Sequence, residues 1–369
     1  MCNKILFARG ANGQGQLGLP SGVDVYHLAQ VMLDGICPMF LSAGGNHTLM
    51  LDSTGCLFAA GDNTLGQCGN NVGKWEGFAQ VAQGQCWTAI AAGWEFSVFA
   101  TENAVWTSGH GKYGELGLGE GIFHAVMQRI PGFPSKNKKI SQLCAGVYHV
   151  ICLLDNGECW GWGDARHGEL GPDLSGCVYM PTKMCVPSNV RAVACGRGFS
   201  VTLSMTLDVW GRLRGIPYSL KLSEMKIELN DILSLNASWS AVFILMKRGN
   251  VVMLGRDDLA QRCPAEMPPL KMLAVGSEHC LGIGVDGKVY GWGWNEHGNV
   301  REDKKDVREV YLLEIPKGNV RFVAAGCGTS WIYIETSNKA VNETENTIAN
   351  IKHLTMIDYG TMRFKKISA

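Results

Sequence analysis

Between Ala274 and Asn299 the chain reads AVGSEHCLGIGVDGKVYGWGWNEHGN. Apolar and small residues alternate on either side of Asp286-Gly287, a dipeptide that favours the tight turn of a hairpin. The pattern predicts one antiparallel hairpin, entered through Val275-Gly276, turning at Asp286-Gly287 and returning from Lys288 to Trp294. A hairpin brings its open ends together. Ser277, Glu278 and His279 are therefore expected beside Trp294, Glu296 and His297, all on one face.

The same opening pair recurs at Ala43-Gly44, Ala92-Gly93, Ala145-Gly146, Cys195-Gly196, Asn236-Ala237 and Ala325-Gly326, with successive spacings, the Val275 copy included, of 49, 53, 50, 41, 39 and 50 residues. Return strands end at Gly61, Gly109, Gly163, Gly211, Gly255 and Gly293, each 15 to 18 residues after the second residue of its opener, with a further copy at Gly10. A period of about 50 residues built from short Gly- and Trp-rich strands predicts an all-β, seven-bladed β-propeller. Ile5 to Gly18 holds a return strand without an opener, and Phe322 to Ile334 an opener without a return. These two are expected to form one blade together, closing the ring by pairing N- and C-terminal strands over residues 1–334. Residues 335–369 are polar and lack the motif, and are expected to be an appended tail, partly disordered or weakly helical. The prolines fall between the hairpins, in connectors and outer strands, and the short spacings around Asn236-Ala237 mark the least regular blade.

Charge and composition narrow the function classes. With 33 basic and 33 acidic residues the net charge is zero, so no whole-chain field draws nucleic acid or an anionic membrane. No apolar run reaches the roughly 18 residues of a membrane span, which points to a soluble intracellular protein. The 14 cysteines include no C-x-x-C pair, and the histidines form no H-E-x-x-H, so core thiols are expected and neither a metal nor a cofactor is.

The openers and closers, among them AGGNHT at residues 43–48, GANGQGQLG at 10–18, GDNTLGQCG at 61–69, GHGKYGELG at 109–117 and WGDARHGELG at 162–171, resemble the repeats of the regulator of chromosome condensation family of seven-bladed propellers. The strings GWGWNEHGN at 291–299, GSEH at 276–279, AAGWE at 91–95, GGNHTLML at 44–51 and AGCGTSWI at 325–332 resemble a minimal, propeller-only branch of that family. This second resemblance implies a non-enzymatic protein of the cytoplasm and nucleus. It implies a heterodimer with a small CSL-type zinc-finger protein of diphthamide synthesis, which also serves Elongator in the modification of transfer-RNA wobble uridine. The alternative implied by the founding member is guanine-nucleotide exchange on a Ran-type GTPase.

The residues themselves favour recognition over chemistry. Gly44, Gly93, Gly146, Gly196, Gly276 and Gly326 read as places where backbones crowd near an axis. His47, His149 and His279 have no reproducible nucleophile beside them and are expected to bond a neighbouring blade's backbone. Trp94, Trp239, Trp294 and Trp331 stand at the openers and closing loops, where exposed aromatics would anchor an interface. With Glu95, Ser277, Glu278, His279, Glu296 and His297 they form the expected partner face, whose carboxylates would select a basic partner.

Overall fold

The hairpin pattern becomes a ring of seven small sheets in the computed structural model, which describes residues 2–70, 77–82 and 84–337. Numbered from the N-terminus, blade 7 shows the standard form: an inner strand Leu270–Val275, a second His279–Gly284, a third Val289–Gly293 and an outer Val307–Leu312. Its central pairing, His279 opposite Gly293 and Ile283 opposite Val289, is the register expected of the Asp286-Gly287 turn. Blades 2 to 5 repeat it.

Blade 1 closes the ring as expected. Its sheet runs Val25–Val31, Cys2–Gly10, Thr329–Ser337, Asn319–Ala325, so strands from both ends of the chain lie side by side. Pairing is continuous from Gly10 opposite Thr329 to Cys2 opposite Ser337. The last strand thus runs three residues past the expected boundary at Ile334, and residues 338–369, most of the expected tail, lie outside the described residues.

Blade 6 is the irregular one. It has three strands, Ile232–Ala237, Ala241–Met246 and Val251–Gly255, and the segment before the next inner strand, which carries Pro264, Pro268 and Pro269, adds no fourth. A residue without a backbone N–H cannot extend the ladder.

The cores lie between blades. Seven apolar clusters occupy the seven junctions; Phe99 and Trp87 of blade 3, for example, pack with Leu49 and Leu51 of blade 2, and Phe243 of blade 6 with Trp292 of blade 7. A middle strand is buried on both sides: Met50 faces blade 1 while its neighbours Leu49 and Leu51 face blade 3. This explains why His47–Asp52 is buried at every position and why apolar–polar alternation is weak there. Cys152, Cys159 and Cys280 are buried members of these clusters, Cys56 and Cys144 border them, and the cysteines from Cys37 to Cys327 are free thiols.

Two recurring contacts lock the blades. Closing glycines take left-handed backbone angles, from Gly211 at φ +93° to Gly255 at +131°, and a β-carbon at Gly293 would sit 2.6 Å from the Glu278 carbonyl. A side chain there is excluded twice, by conformation and by space. The histidines correct an expectation in part, since each reaches a serine side chain of the next blade, and His279 also bonds the backbone of Thr329 there. His47 Nε2 lies 2.7 Å from Ser97 Oγ, His149 Nε2 2.8 Å from Ser200 Oγ, and His279 Nε2 2.9 Å from Ser330 Oγ. Where Phe96 or Phe199 replaces the histidine, the following blade presents Val150 or Val242 at the serine's place, so polar meets polar and apolar meets apolar.

Candidate interaction face

Turns from inner to second strand and loops from third to outer strand emerge at the same end of every blade and make one face of the disc. The loops are built by their own motif. Asn63 Oδ1 accepts from the Cys68 N–H and Gln67 Oε1 from the Leu65 N–H; Asn12 and Gln16 do the same in blade 1, and Asn295 Oδ1 accepts from the Val300 N–H in blade 7. Glu115 and Glu169 play the part of Gln67, each accepting from a backbone N–H two residues back. These residues are buried, so the repeated Asn and Gln or Glu specify loop shape. Burial lifts the Glu115 carboxyl to about 7.

Around the axis the openers bond one another. Gly45 N–H donates to the Trp94 carbonyl and Trp94 N–H to that of Val147; Arg197 N–H donates to Trp239, Trp239 to Ser277 and Ser277 to Gly326. They enclose an axial channel of about 160 Å³ to which every blade contributes. Trp94 of blade 3 and Trp239 of blade 6 also line it, and their rings meet with centroids 5.7 Å apart. Coming from blades three apart, the two half-buried rings span the channel at the face.

Deeper in, Cys144 and Cys195 line the same channel. Burial would raise the Cys195 thiol, but the bond with Cys144 and the charge of His149 bring it down to about 5. His149 is held up in turn by Cys195, whereas burial depresses His47 to about 4 and His279 to about 3. Sequence reading placed these thiols only in the core; nothing in their spacing shows that adjacent inner strands bring them together.

The ten expected face residues separate into two groups. Trp94, Trp239, Trp294 and His297 are half-buried at the surface, and Glu95 and Glu296 are exposed. Trp294 meets His297 edge-on at 5.2 Å, and His297 Nδ1 lies 2.8 Å from Asp24 Oδ2 of blade 1. The other four are not available. Ser277 and His279 are buried, and Trp331 is a core residue, wholly enclosed, whose indole N–H donates to the Leu17 carbonyl at 3.2 Å. Glu278 is also buried, accepting from Ser240 Oγ at 2.6 Å and Gln261 Nε2 at 3.0 Å, and burial raises its pKa. In a strand entered from a tight turn, residues two apart share a side, and sequence alone does not say which side is inward.

The expected acidic character of the face fails with Glu278. Of the remaining carboxylates Glu95 lies 3.4 Å from His110 Nδ1. The sector over blades 5 to 7 is basic instead: Arg197, Arg212, Arg214 and Arg256 line a concavity of about 340 Å³ together with Trp239 and Glu278. The Arg197 guanidinium lies 5.5 Å from the Trp239 ring centroid. The signal was present in the sequence as Arg212-Leu213-Arg214-Gly215, which replaces the usual loop after Trp210-Gly211.

One group has the donors a metal would need: Asp164, His167 and Glu169 bring their ligand atoms within 4.8 Å of one another. Those atoms are committed, Asp164 to the Arg166 guanidinium in a two-pronged pair and Glu169 to the His167 ring and backbone N–H. The group is this blade's version of the structural loop.

Two forms of the regulator of chromosome condensation (RCC1) repeat match, one at residues 40–67, 140–169 and 273–299, the other at 102–153 and 156–203. An RCC1 repeat-containing protein of Schizosaccharomyces pombe is 35% identical over 356 residues, spanning 91% of this chain and 100% of that protein. The mouse secretion-regulating guanine nucleotide exchange factor is 25% identical over 385 residues, covering 88% and 82% of the two chains. Among solved structures, Prp20p of Saccharomyces cerevisiae, studied for binding to Gsp1p and histones, superposes with a TM-score of 0.80 at 20% identity over 91% of this chain and 92% of that one. Human WBSCR16 gives 0.77 at 18% identity, over 90% and 99%.

Proposed function

Because this chain belongs to the regulator of chromosome condensation (RCC1) repeat family, we propose that it is a non-enzymatic binding protein that recognises its partner with the face carrying Trp94, Trp239, Trp294 and His297. The partner in this reading is the small CSL-type zinc-finger protein of diphthamide synthesis, and the complex supports Elongator-dependent modification of transfer-RNA wobble uridine. The observation that carries it is the pair of half-buried tryptophans over the channel mouth. Rigid aromatics held on a closed ring offer contact area at small entropic cost, and residues of this kind dominate binding energy.

The test is titration calorimetry of the full chain with the zinc-finger protein of the same organism. One-to-one binding is expected, weakened by about 2 kcal/mol in Trp239→Ala and in Trp294→Ala. No binding, or binding indifferent to both substitutions, would refute the reading.

A second reading, nucleotide exchange on a Ran-type GTPase, draws on the mouse relative named as an exchange factor. Exchange needs an element that wedges into the nucleotide site, and the loops after Gly61, Gly109 and Gly163 are instead held in by buried Asn, Gln and Glu side chains. Accelerated nucleotide release in the presence of this chain would favour it over the first.

A further inference from the structure

The concavity over blades 5 to 7 collects charge that the fold does not use. Arg212 and Arg214 come from the shortened loop of blade 5, Arg197 from its opener, and Arg256 from the loop of blade 6. All four are exposed. Arg256 is held by Asp258, but among the described residues Arg197, Arg212 and Arg214 have no carboxylate within ion-pair distance. Gathering like charges costs energy that nothing in the isolated chain returns. Glu278, at the base, is a single carboxyl against four guanidinium groups and already accepts from Ser240 and Gln261. An anionic group entering here would meet several guanidinium forks around a closed floor.

The class of anion follows from what surrounds the arginines. Single-stranded nucleic acid needs free aromatic faces for its bases and a continuous basic track for its backbone. Neither lines the concavity. Trp239, the aromatic in its lining, is already covered by Arg197 and by Trp94, and Tyr218, exposed in the same loop as Arg212 and Arg214, stands outside the lining. The track is cut short by Asp257 and Asp258 next to Arg256. A compact cluster of forks with no free aromatic in its lining matches carboxylates on a folded partner.

We infer that this arginine concavity is the docking site for an acidic segment of a protein partner, which seats beside the Trp94–Trp239 pair and fixes the partner's orientation. The inference rests on the reading of this face as the partner face, but its chemistry is tested separately. The double substitution Arg212→Glu with Arg214→Glu removes the site from exposed positions, and Arg248→Glu, exposed on the opposite face, serves as the charge control.

Binding of a fluorescein-labelled oligoglutamate and of an oligouridylate of equal length is followed by anisotropy, beside titration with the zinc-finger protein. The inference expects oligoglutamate binding that falls with salt and is weakened about tenfold or more by the double substitution but unaffected by Arg248→Glu. Oligoglutamate binding unchanged by the double substitution, or oligouridylate bound more tightly and lost with the same arginines, overturns it. If the zinc-finger protein binds the double variant as well as the unaltered chain, the inference fails while the partner reading stands. If the zinc-finger protein does not bind at all while oligoglutamate binds through these arginines, the partner reading fails and the inference stands.

Discussion

Trp331→Ala is expected to lower the unfolding free energy by about 3–5 kcal/mol, the range for truncating a large aromatic in a close-packed core. Trp331 lies in the C-terminal strand of blade 1, opposite Ala8 on the N-terminal strand and Ala324 on the inner strand. No part of it is exposed, and it packs in the junction of blades 1 and 2 with Leu17, Leu41 and Met50. Truncation therefore opens a cavity where the two ends of the chain are joined, and leaves the Leu17 carbonyl without its indole donor. The small Ala8 and Ala324 on either side leave little to collapse into the space. Trp331→Phe keeps most of the volume and loses only the hydrogen bond, so it should cost distinctly less. Trp94→Ala, at a half-buried surface position, should cost less still. Chemical unfolding of the three variants gives the order. Equal midpoints for Trp331→Ala and the unaltered chain would mean that blade 1 is not closed as described.

Trp331 also marks the boundary of what the sequence can convey. Seven blades, their order and the closure by Ile5–Gly18 with Phe322–Ile334 were legible because each depends on local chemistry repeated in register. The closing glycines need left-handed angles, the Asp286-Gly287 turn needs its own, and the loop Asn and Gln satisfy backbone groups a few residues away. The site was legible only in part, because exposure in a propeller is decided by the adjacent blade. Trp94, Trp239, Trp294 and Trp331 look alike in sequence, yet blade 2 covers Trp331 completely and leaves the others at the surface. Glu278 reads as a surface carboxylate until Ser240 of blade 6 is seen to hold it. Arg197 and Arg256, the first and last of the four arginines, lie 59 positions apart in the chain, and only the curvature of the ring gathers them with Arg212 and Arg214. The His–Ser locks are intermediate: the spacing of about one repeat was visible, but the partner's identity was not.

Those locks lead to the second large effect, on stability in acid. His47 and His279 are buried and held down to about 4 and about 3, against 6.5 in an unfolded chain. Burial in both cases penalises the charged ring. With folded pKa values below the unfolded one, the unfolded chain takes up protons first as pH falls. Stability is intact above about 6.5 and is lost progressively down to about 4 for His47 and about 3 for His279. At pH 5 each ring costs about 2 kcal/mol relative to pH 7, with no solvent to screen it.

Glu115 opposes this. Its carboxyl, raised to about 7 by burial, costs stability as pH rises from 4.5 through 7, so acidification to pH 5 restores about 2 kcal/mol. Glu278, also raised by burial, acts in the same direction. His47 and His279 together outweigh Glu115 by about 2 kcal/mol between pH 7 and pH 5, and Glu278 and His149, both raised, offset part of that difference; the resultant is read as the slope of the thermal midpoint against pH. The slope against pH is the decisive quantity, because a substitution at a buried position shifts the midpoint by itself. His279→Gln should flatten the slope by removing one of the two rings, and Glu115→Gln should steepen it by removing the opposing carboxyl while keeping the acceptor for the Tyr113 N–H. A full slope retained in His279→Gln would show that this ring is not the neutral, serine-bonded group that locks blade 7 to blade 1.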